Sequence, residues 1–344
     1  MSDLRSALWG APFFMSTSPT PRHRLEYAAF RVAESVVSHL PLNVAQGLGR
    51  GLGHFLHAVD ARRRRVVRQN LRDADLGLDE GAVRRTAHES FAHLGALAFS
   101  TLRVHRMERE ELLRAVHFEG LEHWDDARAA GRGFIGLTGH YGDWERMALA
   151  LSAADRPLAV IGRSLDNPLL DPYLTGVRGR FGNTVIPKAG AFRDSLRVLR
   201  QGGCVGFLLD QDALTQGVFV RFLGRWASTF TSAAVLALKY GLPVVPIFSL
   251  PQGDGSLRVR ILPALELHRT GDADQDVWSA TQRMTSVIED QIREDPRWWF
   301  WMHRRFKTRP GEGHPAPAPL PPHPWQAELA SRQLRAQPAL LDAP

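Results

Sequence analysis

His140 and Glu145, in the stretch Thr138-Gly139-His140-Tyr141-Gly142-Asp143-Trp144-Glu145, are the side chains of this sequence best placed for acid–base chemistry. An imidazole held at one ring nitrogen by a carboxylate keeps the other nitrogen free as a general base, the logic of a Ser-His-Asp triad without the serine. The nucleophile is then the substrate's own hydroxyl. On one continuous helix, residues at this spacing point about 140° apart. The two therefore meet only if the chain turns between them, and Gly139 and Gly142 permit that turn. The spacing recurs at His105 with Glu110 and at His117 with Glu122, in charged segments expected at the surface, so it does not identify a dyad by itself. Context separates the copies. An apolar run over 134–137 precedes His140 and an apolar helical pattern from Met147 to Leu151 follows it, placing His140 where a strand hands over to a helix. Such strand ends are where α/β proteins carry chemistry. A helix-capping histidine is the alternative account.

A second acidic strand end follows at Leu208-Leu209-Asp210-Gln211-Asp212, on the same edge as His140 if the strands run parallel. Two carboxylates there could hold a divalent metal or form an acid–base pair. There is no Asp-x-Asp-x-Asp loop, and neither a metal nor a cofactor is expected. Asp210 is taken as a site residue, with a structural cap as the alternative. Arg163, at the end of a strand over 158–162, is placed to meet an anion, while Asp166-Asn167-Pro168 reads as a helix entry. Arg178, on the helix that follows, could point back to the site or lie on the surface. The single cysteine, Cys204, excludes an internal disulfide and a CxxC metal site, and its strand context makes it a core thiol. A GxSxG elbow is absent, which disfavours a standard α/β hydrolase, and no phosphate-binding glycine loop occurs in usable context.

The elements that must position these residues divide the 344-residue chain into four stretches. Residues 1–22 look irregular. Residues 23–115 show helical periodicity over 25–40, 43–59 and 81–102, with glycine at 47, 49, 51 and 53 and a basic cluster at Arg62 to Arg65 and Arg68. That cluster is either a solvated helix face or a headgroup contact. Over 116–309 the pattern becomes α/β: strands at 134–138, 158–162, 184–186, 204–210, 244–250 and 257–262, with helices at 145–153, 169–181, 192–201, 232–240 and 276–294. The expected fold is a central mixed, mostly parallel sheet flanked by helices, preceded by a helical membrane-attachment region. Residues 310–344 are Pro-rich and expected to be disordered or extended.

The composition is that of an ordinary globular protein, 44% hydrophobic and 23% charged, with a net charge of +7 carried almost wholly by arginine. An acidic protein partner, an anionic membrane surface or nucleic acid is compatible with that charge. No run reaches the roughly 18 apolar residues that span a bilayer, and prolines interrupt the N-terminal stretch where a leader would lie. The block Trp298-Trp299-Phe300-Trp301-Met302-His303-Arg304-Arg305 suits either a membrane interface or the edge of a packed core.

Taken in order, these segments resemble the bacterial lipid A biosynthesis late acyltransferases, the lauroyl and myristoyl enzymes of the lysophospholipid acyltransferase superfamily. The resemblance covers about residues 25 to 310. It rests on the arginine-rich segment ending Asn70-Leu71, on His140 and Glu145, on Arg163 with Asp166-Asn167-Pro168, and on Gly176 to Arg178. It continues through Asp210-Gln211-Asp212, Phe219 to Gly224, Leu242 to Pro246, and Trp301 to Pro310. The resemblance implies a glycerolipid-acyltransferase-like fold. It also implies transfer of a fatty acyl chain from an acyl carrier protein thioester to a hydroxyl of an anionic glycolipid, a lipid A precursor, at the cytoplasmic face of the inner membrane. His140 would be the base and Glu145 would orient it, with Arg163, Arg178, Asp210 and Asp212 around the substrate. No nucleic-acid partner is implied. Three features depart from the family pattern, one of them the added Pro-rich stretch at 310–344. Arg31 and Glu34 interrupt the N-terminal segment where members carry a transmembrane helix, so interfacial or monotopic attachment is expected. Gly139 stands where many members have asparagine. Relatives acylate phosphatidylinositol mannosides or ornithine-type lipids, which are the alternative acceptors, and an inert lipid-binding homologue is a further alternative.

Overall fold

The computed structural model describes residues 18–162 and 165–311. Expectations for residues 1–17, for Arg163 and for the Pro-rich stretch beyond residue 311 lie outside the described residues. Four helices come first: α1 (Pro21–Val37), α2 (Leu42–Val59), α3 (Ala61–Asp73) and α4 (Glu80–Val104). Then follow α5 (Arg109–Arg114), β1 (Val116–Glu119), α6 (Leu121–Ala129), β2 (Phe134–Thr138), α7 (Trp144–Ala153), β3 (Leu158–Gly162), α8 (Leu170–Gly179), β4 (Thr184–Pro187), α9 (Ala191–Arg200) and β5 (Cys204–Leu208). A hairpin of β6 (Val218–Phe222) and β7 (Arg225–Thr229) leads to α10 (Ser232–Tyr240), β8 (Val244–Pro251), β9 (Leu257–Ile261) and α11 (Ala273–Glu294). Side-chain caps fix several helix starts: Thr20 accepts from the backbone of His23 and Asp79 from that of Ala82.

Seven strands form one sheet in the order β1-β9-β8-β2-β5-β3-β4, parallel at every pairing except β8 with β9. The expected α/β class with a mixed, mostly parallel sheet is present. β2 is buried along its whole length and lies beside β5, with Thr138 opposite Leu208. Because the two strands run parallel and in register, the residues that follow them, including His140 and Asp210, leave the sheet at one edge. β5 ends at Leu208 rather than continuing to 210, since Asp210 turns back to bond the His140 loop. The apolar stretch with two arginines at 218–225 is an antiparallel hairpin. Its turn is made at Leu223 and Gly224, both with positive φ (50° and 76°).

The N-terminal helices are organised by glycine. Gly49 and Gly53 of α2 are buried against α4, where a Cβ on Gly53 would stand 2.1 Å from the Phe91 carbonyl oxygen and one on Gly95 2.0 Å from that of Gly49. α2 and α4 thus touch backbone to backbone. The opposite face of α2 carries exposed Val44, Leu48, Leu52, Phe55 and Val59, and α1 adds exposed Leu25, Val32 and Val36. No helix of the described residues is long and apolar enough to cross a membrane. At the other end of the chain Trp299 and Trp301 are core residues, 2% and 1% exposed, which settles those two rings as packing rather than interface. Asn70 of α3 donates to the carbonyls of Trp301 and His303 at 2.8 and 3.0 Å, tying the helical region to this segment.

Candidate active site

The loop that follows β2 is held from two sides. The Phe300 N–H donates to the His140 carbonyl at 3.0 Å and the Gly142 N–H to the Trp298 carbonyl at 2.9 Å, so residues 298–300 run alongside 140–142 as a short backbone clamp. Gly142 has φ +62°, and a Cβ there would meet the Ser249 carbonyl oxygen at 2.0 Å. Gly139 is needed for space rather than for φ. Its Cβ would lie 2.9 Å from the Ile288 side chain and 3.1 Å from an Asp210 carboxylate oxygen. α7 then starts at Trp144, capped by Asp143, whose carboxylate accepts the Arg146 N–H at 3.0 Å.

His140 donates from Nδ1 to Asp210 Oδ1 at 2.8 Å, and its backbone N–H donates to Asp210 Oδ2 at 2.6 Å. The Trp299 indole N–H donates to the same Oδ2 at 2.8 Å. Burial works against a charge on Asp210. The His140 charge together with the imidazole, indole and backbone hydrogen bonds outweighs it and holds the carboxyl well below its usual range. Burial would likewise push the imidazole down, but the Asp210 charge and hydrogen bond dominate and hold its pKa above the ordinary 6.5. With Nδ1 committed as a donor, Nε2 carries the lone pair of the neutral ring. The ring edge is partly open, its side chain 19% exposed, with the Trp144 ring at 5.1 Å and the Gln211 amide nitrogen 3.4 Å from Nε2.

The expected partner of His140 was Glu145. In the structure the carboxylate on the imidazole is that of Asp210, and Glu145 is engaged by Arg178, whose Nε and one terminal nitrogen donate to it at 3.0 and 2.5 Å. The reason is geometric: α7 begins at Trp144, so Glu145 is already on the helix and faces α8, which carries Arg178. Hydrogen bonding to Glu145 raises the Arg178 pKa further above its ordinary value, despite burial. Glu145 and Arg178 line a mostly apolar cavity of about 260 Å³, walled by Phe30, Leu94, Leu97, Tyr173 and Leu174 among others. Asp212, expected near the substrate, is tied into the turns around it. Its carboxylate accepts from the Leu214 N–H and from the Thr308 N–H and hydroxyl, and its own N–H donates to His303 Nε2. Asn167 caps the turn before α8 by accepting the Leu169 N–H, as the Asp-Asn-Pro signal implied.

Sequence reasoning did not single out three contributors. Trp299 orients Asp210. Gln211 reaches His140. Arg305, 0% exposed, donates to the carbonyls of Gln211 and Ser228 and to the Thr229 hydroxyl, pinning the Asp210–Asp212 turn to β7. For Trp299 and Arg305 the sequence signal lies in the aromatic and basic block at 297–307, and for Gln211 in the Asp210-Gln211-Asp212 strand end, but nothing in either says which members face the site. His105, whose spacing to Glu110 mimics the His140 motif, instead pairs with buried Glu34 at 3.1 Å and with the Tyr173 hydroxyl at 2.9 Å. Among the described residues no cluster of histidine, cysteine and carboxylates is arranged to hold a metal ion.

Comparison with known proteins matches the same span that carries this geometry. The chain is 28% identical over 307 residues to a lipid A biosynthesis lauroyltransferase of Escherichia coli K12, covering 89% of this chain and 98% of that protein. It is 26% identical over 274 residues to the lipid A biosynthesis palmitoleoyltransferase of the same organism, covering 79% of this chain and 87% of that protein. It is also 26% identical over 206 residues to a phosphatidylinositol mannoside acyltransferase of Mycobacterium tuberculosis, covering 59% of this chain and 63% of that one. A family model for bacterial lipid A biosynthesis acyltransferases matches residues 17–308, the helical region and the whole sheet together, and the chain belongs to that family.

Proposed function

We propose that this protein moves a fatty acyl chain from an acyl carrier protein thioester to a hydroxyl of a lipid A precursor, with His140 as the general base. The observation that carries the reading is the hydrogen bond from His140 Nδ1 to a buried Asp210, which leaves Nε2 as the acceptor at a partly open edge. The acceptor hydroxyl gives its proton to Nε2 as its oxygen attacks the thioester carbonyl carbon. The imidazolium that forms is stabilised by Asp210. The tetrahedral intermediate collapses with loss of the C–S bond, and the leaving thiolate recovers the proton from Nε2. No enzyme nucleophile is required. Cys204 cannot supply one, because burial raises its thiol pKa far above the usual value.

Glu145 keeps a role different from the one its spacing suggested. It holds the Arg178 guanidinium at the rim of the apolar cavity, where a fixed positive charge meets the developing oxyanion while the acyl chain lies along the cavity wall. Arg163 serves the substrate's anionic part in this reading. The net charge of +7 suits both an acidic carrier protein and an anionic glycolipid acceptor. The exposed apolar stripe of α1 and α2, next to the basic cluster on α3, is read as the surface that lies on the inner membrane's cytoplasmic face.

The test is direct. Purified protein is incubated with an acyl carrier protein thioester and a lipid A precursor, beside His140→Ala. Product from the wild type and loss of about 10²–10⁴-fold in the variant are expected, and unchanged product in the variant would overturn the mechanism. The mycobacterial relative favours a second acceptor class, so a phosphatidylinositol mannoside belongs in the same assay.

A further inference from the structure

A cavity of about 370 Å³ opens between the β6–β7 hairpin and the start of the C-terminal stretch, walled by Arg221, Arg225, Trp226, Phe306 and Arg309. The acyl-transfer chemistry uses none of these side chains. Three guanidinia share one small space, and no acidic side chain lines it. Only Arg225 is neutralised locally, by Asp73, and it lies over the Phe306 ring with 5.1 Å to the centroid. Arg221 makes a long 3.4 Å hydrogen bond to the Gly224 carbonyl, and neither it nor Arg309 has an ion-pair partner among the described residues.

The frame around these cations is rigid. The Arg221 N–H donates to Gln282 Oε1 at 2.7 Å and its carbonyl accepts from Gln282 Nε2 at 2.9 Å, so the strand is clamped to α11 on both backbone groups. The turn is pinned as well, with the Leu223 N–H donating to Glu289 at 2.7 Å and a Cβ on Gly224 excluded by Asp75 at 2.5 Å. On the facing side Thr308, beside Arg309, is bonded to Asp212. The clamps act on the backbone, while the Arg221 and Arg309 side chains are exposed at the cavity, and like charges gathered around one space favour the entry of an anion. The planar forks of two unpaired guanidinia, approaching from different elements, suit an anion with three or more oxygens rather than a carboxylate, which a single fork satisfies.

We propose that this cavity is a binding site for a phosphate group, held by Arg221 and Arg309 with Arg225 as a shared third cation. The inference rests on the hairpin geometry and stands whether or not the protein transfers acyl chains. A phosphate there can belong to a phosphorylated sugar, to a phospholipid headgroup or to free phosphate, and the three sources are separable.

The experiment is titration calorimetry on the full chain with glucose 1-phosphate, with monomeric dihexanoyl phosphatidic acid and with inorganic phosphate, using glucose as the uncharged control. Saturable binding of at least one phosphate probe, none of glucose, and weakening of roughly tenfold or more in the R221A/R309A variant are expected. The tightest probe then names the source. The variant keeps every backbone bond of the hairpin, so it should fold, and its melting curve checks this. Arg309→Ala alone, at an exposed side chain of the terminal segment, gives a second and milder probe. Absence of saturable binding for all three phosphates, or binding that survives both arginine substitutions, would overturn the proposal.

Discussion

Asp210 and Trp299 meet through one oxygen. The indole N–H donates at 2.8 Å to Oδ2, the atom that also accepts the His140 backbone N–H, while Oδ1 is left for the imidazole. The carboxylate is therefore fixed at both oxygens by groups that come from β2's loop and from the C-terminal segment. Its own position at the end of β5 completes a three-way junction. A carboxylate anchored like this holds the imidazole in one tautomer, as the proposed general-base role requires.

The pH dependence of the reaction follows from that junction. In the proposed mechanism His140 must be neutral to act, and its pKa is held above 6.5, so kcat/KM should rise with pH through a midpoint above the ordinary imidazole value. In Asp210→Asn the charge is gone while burial remains, and the midpoint should fall below the wild-type one, with activity down by about 10²–10⁴-fold. Stability should respond with the opposite sense. The raised imidazole pKa stabilises the fold fully below the ordinary value and is lost as pH rises through the folded one, whereas the depressed Asp210 contributes above the ordinary carboxylate range and is lost as pH falls. A pH–rate profile whose acid limb is identical in both proteins would contradict the assignment of Asp210.

Glu145→Gln separates the two carboxylates. It leaves the His140–Asp210 bond in place and releases Arg178, so activity should fall by about 10–100-fold, in keeping with loss of one electrostatic contact, while the acid-limb midpoint moves less than in Asp210→Asn. If the midpoint moves as far as it does for Asp210→Asn, Glu145 is the orienting group after all.

Gly95→Ala tests the contact between α2 and α4. The added methyl would stand 2.0 Å from the Gly49 carbonyl oxygen, and neither backbone can yield without parting the helices. A loss of at least about 1–3 kcal/mol is expected from overpacking alone, read as a lower denaturant midpoint. Gly51→Ala, with nothing within 4 Å of the new methyl, should be neutral or slightly stabilising.

The apolar stripe of α2 is tested by charge. Leu48→Asp with Phe55→Asp places two carboxylates on side chains that are 54% and 60% exposed, so the fold should be unaffected. Flotation with vesicles containing phosphatidylglycerol should then show most of the protein moving from the bilayer to the soluble fraction. Equal flotation of wild type and variant would remove α2 as the attachment surface.

How far the sequence reaches into this molecule depends on the range of the interaction. The sheet is legible because parallel buried strands write long apolar runs, and such runs alone mark β2 and β5. His140 and Asp210 were each placed at a strand end for the same reason. Their partnership was not legible, since local spacing favoured Glu145 and the true contact spans 70 residues of chain. Trp299 illustrates the same limit: its composition fitted a membrane interface as well as a core, and only the clamp between 140–142 and 298–300 decides. The β6–β7 hairpin was hidden by a turn residue, Leu223, that occupies a positive φ without the usual Asn-Gly signature.

The glycine contact between α2 and α4 has a bearing on how the protein sits, beyond holding it together. A helix seated on side chains can roll by a rotamer change, but one seated on its own peptide planes has a single azimuth about its axis. The outward stripe from Val44 to Val59 is therefore aimed by the chain itself. The angle between it and the opening beside His140 is set by the α2–α4 backbone contact, so any surface that the stripe meets finds that opening at one inclination.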